Sequence, residues 1–320
     1  AALKQRFDYI LNGMVSMKTL SEADAAQAKL RLPKFPKVRS SSQYGGQRGH
    51  MLRLVRNELL QRGFSEEEID GGGLRITTTF TPEAMQAAAE GVAAQRPEGY
   101  GKNLHVAVAS VEVGTGALRG FYGGQDFLKS EINWASAGGM AGSTFKAFAI
   151  AAALKSGFSL KDTFDGNSPY ELPDGTDIEN EGDNSYGSHV SLTSAAEESI
   201  NTAFVDLTLA IPGGPEKIVA TANAMGIPSP EGAEWGIPRA TGDLEPVTGV
   251  SLGSAQVSPI NMANAYATIA NGGQAAPVHV LQRVVDRGGE ERYRFQASST
   301  QAIDEEVAAD TSYALQQVVK

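Results

Sequence analysis

Residues 141–154 read AGSTFKAFAIAAAL, a run that is small and apolar on every side of a helix and carries one charge, Lys146. A helix apolar all round has no face to give to water, so it belongs in the middle of a fold. The rest of the chain must enclose it, and must do so around a lysine. The chain has the material: 320 residues, 41% hydrophobic and 20% charged, which excludes wholesale disorder. That length fits one large domain with smaller accessory pieces. The absence of cysteine excludes disulfide scaffolds, thiolate zinc sites and thiol nucleophiles. His50, His105, His189 and His279 are isolated, so no metal is expected. The acidic stretch 174–184 (DGTDIENEGDN) lacks the spacing of a calcium-binding loop and is predicted to be solvated. No phosphate-cradling glycine motif occurs.

Charge divides the chain. Residues 1–100 hold 14 basic and 11 acidic side chains, and residues 101–320 hold 13 and 26. Lys29–Arg62 carries nine Lys/Arg against one acid, Glu58. A solvated connector is the plain expectation, and a segment beside an anionic surface such as phospholipid head groups is the alternative. Nucleic acid is not an expected partner, because the chain is acidic and the basic stretch has few aromatics for stacking. No apolar run approaches about 18 residues, so no membrane-spanning helix is predicted. The opening Ala-Ala-Leu-Lys falls inside a helical pattern, and the chain is expected to be a piece of a longer protein.

Periodicity predicts helix–turn–helix over Ala1–Leu30 with Ser21 as a cap, a linker over Leu32–Gly49, and a helix over His50–Arg62. A strand follows at Leu74–Phe80, then a helix opening at Thr81-Pro82. Leu104–Val113 and Gly116–Tyr122 read as a hairpin about Gly114-Thr115. Asp162–Ser188 reads as a long surface loop, and Leu192–Leu209 as a helical stretch broken near its middle. Pro259–Ile269 and Ala302–Lys320 are helical, and Pro277–Val285 with Arg292–Phe295 forms another hairpin.

Ser143 and Lys146 stand at i and i+3, on one helix face, which puts Nζ in reach of Oγ. A serine hydroxyl is a weak nucleophile until a base takes its proton. A lysine among Phe145, Ala147, Phe148, Ala149 and Ile150 is predicted to hold its own proton weakly, because desolvation disfavours the charged form. If the helix begins at Ser143, that residue's N–H has no intrahelical partner and can face a developing oxyanion. Alone, a single Ser-x-x-Lys also fits an ordinary surface pair. Ser199-Ile200-Asn201, the only Ser-x-Asn, begins 56 residues later. A second hydroxyl beside the Ser/Lys pair can relay a proton to a leaving group. An amide two residues on, where the chain turns, can hold both a substrate carbonyl and the lysine. Alone, these residues also read as a helix cap and a satisfied buried amide. Glu197 and Glu198 read as a solvated helix face.

Together the two elements resemble the active-site set of the penicillin-recognising serine enzymes. Further stretches, in order, resemble class A penicillin-binding proteins: Leu74–Phe80 with Thr81-Pro-Glu-Ala-Met-Gln86; Val106–Gly124; Asn133-Trp-Ala135; Ala141–Phe148; Ser199–Phe204; Leu252-Gly-Ser-Ala-Gln-Val-Ser-Pro259; and Met262–Ala267 with Asn271-Gly-Gly273. The likeness runs over residues 74–320. It implies the α+β penicillin-binding transpeptidase or serine β-lactamase-like fold. In that fold an antiparallel sheet flanked by helices meets an all-helical lobe, here after a small N-terminal linker region.

The resemblance implies a peptidoglycan D,D-transpeptidase, with Ser143 as nucleophile, Lys146 as base, Ser199 as proton relay and Asn201 as the amide. The implied partners are stem peptides ending in D-Ala-D-Ala and β-lactams, with no cofactor. Residues 1–30 resemble the last helices of a glycosyltransferase domain, whose catalytic motifs are not in the chain. The expected division is residues 1–35 for those helices, 36–98 for a connecting domain and 99–320 for the transpeptidase domain. Gly114-Thr-Gly116, Ala240-Thr-Gly242 and Val247-Thr-Gly249 lack the leading cation of the family's Lys-Thr-Gly motif, which is expected beyond Lys320. The resemblance further implies an extracytoplasmic enzyme with a preceding membrane anchor and other cell-wall synthesis proteins around it. A β-lactamase is the first rival. It needs a Glu four residues before an Asn, and Asn223, Asn261, Asn264 and Asn271 follow Val219, Val257, Ile260 and Ala267 instead. A non-catalytic module of the same fold is the second rival, and it has no need of Ser143 together with Lys146.

Overall fold

The computed structural model describes residues 2–32, 44–172, 174–234 and 236–319. Most of the linker expected over Leu32–Gly49, and the expected boundary at 35/36, lie outside the described residues. The chain forms two compact units, residues 1–42 and 43–320. In the first, helices α1 (Ala2–Ser16) and α2 (Glu22–Lys29) form the predicted helical pair. Ser21 caps α2 through the Asp24 N–H, and Lys29 Nζ donates to Asn12 Oδ1 at 2.5 Å.

The second unit begins with α3 (Gln47–Gln61), α4 (Glu66–Gly71), strand β1 (Arg75–Thr78) and α5 (Pro82–Gln95). Ser65 and Glu68 form a reciprocal capping box on α4, and Thr81 caps α5 ahead of Pro82. Strands β2 (Val108–Val111) and β3 (Leu118–Tyr122) follow as the predicted hairpin. Its turn is longer than the two residues expected. The ladder closes at Glu112 N–H to Ala117 O, leaving Val113–Gly116 as the turn, with Gly114 and Gly116 at positive φ.

Next come α6 (Trp134–Ala137), β4 (Gly139–Met140), a 3₁₀ turn over Gly142–Phe145 and α7 (Lys146–Lys155). The surface loop holds more order than expected: β5 (Thr163–Phe164), β6 (Tyr170–Glu171), β7 (Asp177–Ile178) and β8 (Val190–Ser191) form the pairs β5–β8 and β6–β7. Then follow α8 (Leu192–Glu197), α9 (Asn201–Ala210), α10 (Gly214–Met225), a 3₁₀ turn over Thr248–Leu252, β9 (Gln256–Val257) and α11 (Pro259–Ala270). The chain continues through β10 (Gln274–Ala275), β11 (Leu281–Val285), β12 (Glu291–Arg294), β13 (Thr300–Gln301) and α12 (Glu305–Gln317).

Strands β1, β11 and β12 form an antiparallel sheet in the order β1-β11-β12. The hairpin β2–β3 is knitted to it by a parallel bridge between Ala117 and His279 and by Thr79 N–H to Val280 O, 2.9 Å. Helix α5 packs on β3 and α11 on β2. Beside this layer, α7 is enclosed by α9, α10 and α12, with Phe145, Phe148 and Ala147–Ala153 all buried. This is the enclosure that an all-round apolar helix requires.

Three of the connector's cations, all at α3, are paired with acids. Arg53 pairs with Glu131 at 2.5 Å, Arg56 with Asp70 at 2.5 Å and Glu66 at 3.3 Å, and Arg62 with Glu58 at 3.0 Å. Such pairs favour the connector reading of α3 over an anion-binding face.

Glu58 is the tie between α3 and the sheet. It is buried, and its Oε2 accepts from Val280 N–H at 2.6 Å and Leu281 N–H at 3.0 Å. Glu58→Ala strands two buried donors and removes the carboxylate paired with Arg62. We expect a loss of about 3 kcal/mol. A urea titration checks this by a lower midpoint at unchanged slope, while a shift below about 1 kcal/mol contradicts the tie.

Candidate active site

The turn that carries Ser143 is shaped by its neighbours. Gly142 N–H donates to Gly253 O at 3.0 Å and Ala141 N–H to Ala255 O at 2.9 Å. Thr144 Oγ1 donates back to Ala141 O at 2.6 Å, and Tyr266 Oη donates to Thr144 O at 2.7 Å. At Gly253, φ is +77° and a Cβ would stand 2.1 Å from Gly142 O, so glycine alone permits this approach. Upstream, Gly138 approaches Val257 O just as closely, at 2.4 Å for a Cβ, and β4 pairs with β9. The outcome is an exposed Ser143 in the 3₁₀ turn that runs into buried α7, where its N–H is among the turn's leading donors and the helix dipole is positive.

Lys146 lies one turn inward and is 4% exposed. Burial lowers its pKa from 10.5 to about 8. Its Nζ donates to Ser199 O at 2.7 Å and Asn201 Oδ1 at 2.8 Å, and lies 3.0 Å from Ser199 Oγ. The Phe204 ring centroid is 5.2 Å away. The predicted contact from Nζ to Ser143 Oγ is not among these bonds. The reason is local: three acceptors converge at Ser199–Asn201 and saturate the ammonium.

That convergence comes from the break predicted within Leu192–Leu209. Helix α8 stops at Glu197, Ser199 takes the left-handed conformation (φ 52°), Ile200 is extended, and Asn201 starts α9. A left-handed non-glycine residue costs on the order of 1 kcal/mol, which this kink spends on aiming two carbonyl oxygens and a hydroxyl at one point. The Asn201 amide is oriented from both ends, with Oδ1 toward Lys146 and Nδ2 donating to Glu179 O at 3.0 Å. Asn180, 5% exposed, locks the same loop to α9: Oδ1 accepts from Thr202 N–H at 3.0 Å and Nδ2 donates to Gly166 O at 3.0 Å. Farther along, Thr208 Oγ1 donates to Ser251 Oγ at 2.9 Å inside the core. This joins α9 to the 3₁₀ turn that leads into Gly253.

Of the four site residues expected, Ser199 and Asn201 both contact Lys146, and Ser143 occupies the adjoining turn. Glu197 and Glu198 are exposed. Gly253, Tyr266 and Asn180 were not singled out from the sequence. The first two fall inside stretches noted for resemblance, Leu252–Pro259 and Met262–Ala267. Asn180 falls in the stretch 174–184 expected to be solvated, and it is instead buried because its amide bonds Gly166 and Thr202. None of the three Thr-Gly sequences lies on a strand: residues 114–116 form the hairpin turn, 240–242 a loop, and 247–249 enter the 3₁₀ turn. Among the described residues, no group of three His, Asp or Glu is placed to hold a metal ion.

Residues 106–320 match the family described as the penicillin-binding protein transpeptidase domain. The chain belongs to that family. Its relatives include penicillin-binding protein 1A of Mycobacterium tuberculosis, 34% identical over 288 residues, covering 89% of this chain and 34% of the relative. Penicillin-binding protein 1A of Mycolicibacterium smegmatis is 33% identical over 321 residues, covering 98% of this chain and 40% of the relative. The chain thus spans well under half the length of these curated relatives. Among solved structures, PonA1 from Mycobacterium tuberculosis in complex with penicillin V superposes with a TM-score of 0.74 at 32% identity, covering 84% of this chain and 70% of that one. The α+β penicillin-binding transpeptidase fold is therefore the fold of this protein. Its central helix is α7, with Ser143 in the turn before it and Lys146 bonded to Ser199 and Asn201 at its start.

Proposed function

We propose that this chain carries the acyl-transfer centre of a peptidoglycan D,D-transpeptidase. The observation that carries the reading is Lys146: a buried amine with pKa near 8, held by Ser199 and Asn201 one turn behind an exposed Ser143. Ser143 Oγ attacks the D-Ala–D-Ala carbonyl of a stem peptide, and its proton passes to Lys146, directly or through Ser199. The oxyanion forms beside the Ser143 N–H at the positive end of α7. As the C–N bond breaks, the departing D-Ala amine takes a proton from the Ser199–Lys146 pair. The amine of a second stem peptide then attacks the Ser143 ester, forms the new amide and returns the serine hydroxyl. A β-lactam acylates the same oxygen and is not displaced. The complex of PonA1 with penicillin V supports this ligand class.

The division into glycosyltransferase helices (1–35), a connecting domain (36–98) and the transpeptidase domain (99–320) belongs to the same reading. So does an extracytoplasmic, membrane-anchored setting among cell-wall synthesis proteins. No helix among the described residues is long and apolar enough to cross a membrane. The test is incubation with a fluorescent penicillin followed by intact mass measurement. A stoichiometric, persistent adduct is expected. Rapid loss of the adduct by hydrolysis points to a β-lactamase, and no adduct on the full-length protein points to a non-catalytic module.

A further inference from the structure

We propose that Tyr266 is a positioning residue for the nucleophile. The inference rests on the serine reading above. The turn that bears Ser143 is anchored upstream by the bonds of Ala141 and Gly142 to residues 253–255. Its downstream tie is the Tyr266 hydroxyl, which donates at 2.7 Å to the carbonyl of Thr144, the residue after the nucleophile. Fixing that carbonyl fixes the Thr144–Phe145 peptide plane, so the backbone of Ser143 is held between this anchor and the upstream bonds of Ala141 and Gly142. An error of about 1 Å in such a group is costly to catalysis.

Tyr266 can impose this constraint because its own helix is pinned along its length. On α11, Ser258 caps Asn261 N–H at 3.0 Å. Asn261 Nδ2 donates to Pro238 O at 2.8 Å, Asn264 Nδ2 to Ala276 O at 3.0 Å and Thr268 Oγ1 to Met225 O at 2.9 Å. All three side chains are buried, where an unmade bond would be costly, so they hold α11 against sliding or rotation. The Tyr266 ring meets Phe148 edge-on at 6.2 Å, which sets the phenol's direction. Burial raises the phenol's pKa to about 12, so it stays a donor throughout the range in which Lys146 titrates. Tyr266 makes no bond to Lys146, Ser199 or Asn201, whose Nζ-centred contacts are separate from it.

The test is Tyr266→Phe, which keeps the ring and its contact with Phe148 and removes one hydroxyl. With a chromogenic penicillin, the acylation rate constant at saturation is expected to fall about tenfold, the size of one lost hydrogen bond. The non-covalent dissociation constant and the pH midpoint set by Lys146 are expected to stay as in the wild type. Amide hydrogen exchange across residues 141–148 is expected to quicken, with the rest of the chain and the thermal midpoint unchanged. A wild-type rate constant together with wild-type exchange overturns the proposal. So does a general loss of stability that weakens binding and rate alike. If the full-length wild-type protein is not acylated, the serine reading fails, and exchange across 141–148 then decides alone whether Tyr266 holds the turn.

Discussion

Ser143→Ala abolishes the penicillin adduct, with the acylation rate lowered by at least about 10⁴-fold, as expected for loss of the attacking atom itself. The experiment is needed because two serines compete for the role. Ser199 Oγ, not Ser143 Oγ, lies 3.0 Å from Lys146 Nζ. Proximity to the base alone would choose Ser199. The backbone chooses Ser143. An acyl-transfer nucleophile needs N–H donors beside the oxyanion it creates, and Ser143 stands in the turn that runs into α7, where its N–H is among the leading donors and the dipole is positive. Ser199 follows the C-terminus of α8, the negative end, and its own N–H is already given to Ala196 O at 3.2 Å. Ser199→Ala should therefore slow acylation while leaving the mass adduct in place. An adduct that survives Ser143→Ala and disappears in Ser199→Ala reverses the assignment. Circular dichroism of both variants checks that the fold is intact, as expected for an exposed hydroxyl in each case.

What could be read from the residues depended on how local the cause was. The burial of α7 follows from composition within the run 141–154. The caps at Ser21 and Thr81 follow from one side chain and the next turn. The break at Ser199 was visible as a change of character inside Leu192–Leu209, though its left-handed φ was not. Causes that join distant segments left no pattern. Thr144 and Tyr266 are 122 residues apart, and Glu58 and Val280 are 222 apart. Nothing in the periodicity of either partner announces such a bond. Gly253 illustrates the limit: one more glycine among 36 in the sequence, and irreplaceable only once Gly142 is seen against it. The predicted Lys146–Ser143 contact failed for a related reason. Helical spacing gives reach, but the three acceptors supplied by the Ser199 kink decide where the ammonium points.

Those acceptors frame the second large effect, the pH dependence of Lys146. The amine can take the serine proton only when neutral. Its pKa is lowered from 10.5 to about 8 by burial, so the acylation rate should rise about tenfold per pH unit below 8 and level off above it. Lys146→Met removes the base, and the rate should fall by about 10³-fold or more and lose this pH limb. The same shift has a stability consequence of the same sign, in the pH window above that of the rate. Below pH 8 both folded and unfolded lysine are charged, and the fold bears the full cost of burying the ammonium. Between pH 8 and 10.5 the unfolded chain holds a proton that the folded chain has released. Stability therefore rises with pH in that window, by up to about 1.4 kcal/mol per unit. Lys146→Met bears no such cost but leaves the acceptors at Ser199 and Asn201 without the amine, so its thermal midpoint relative to the wild type's should be highest at pH 6 and should fall as the pH approaches 10. A wild-type acylation rate that is flat from pH 6 to 10 removes Lys146 as the base. A stability gap that does not change over the same range shows that the buried amine is not the group that titrates.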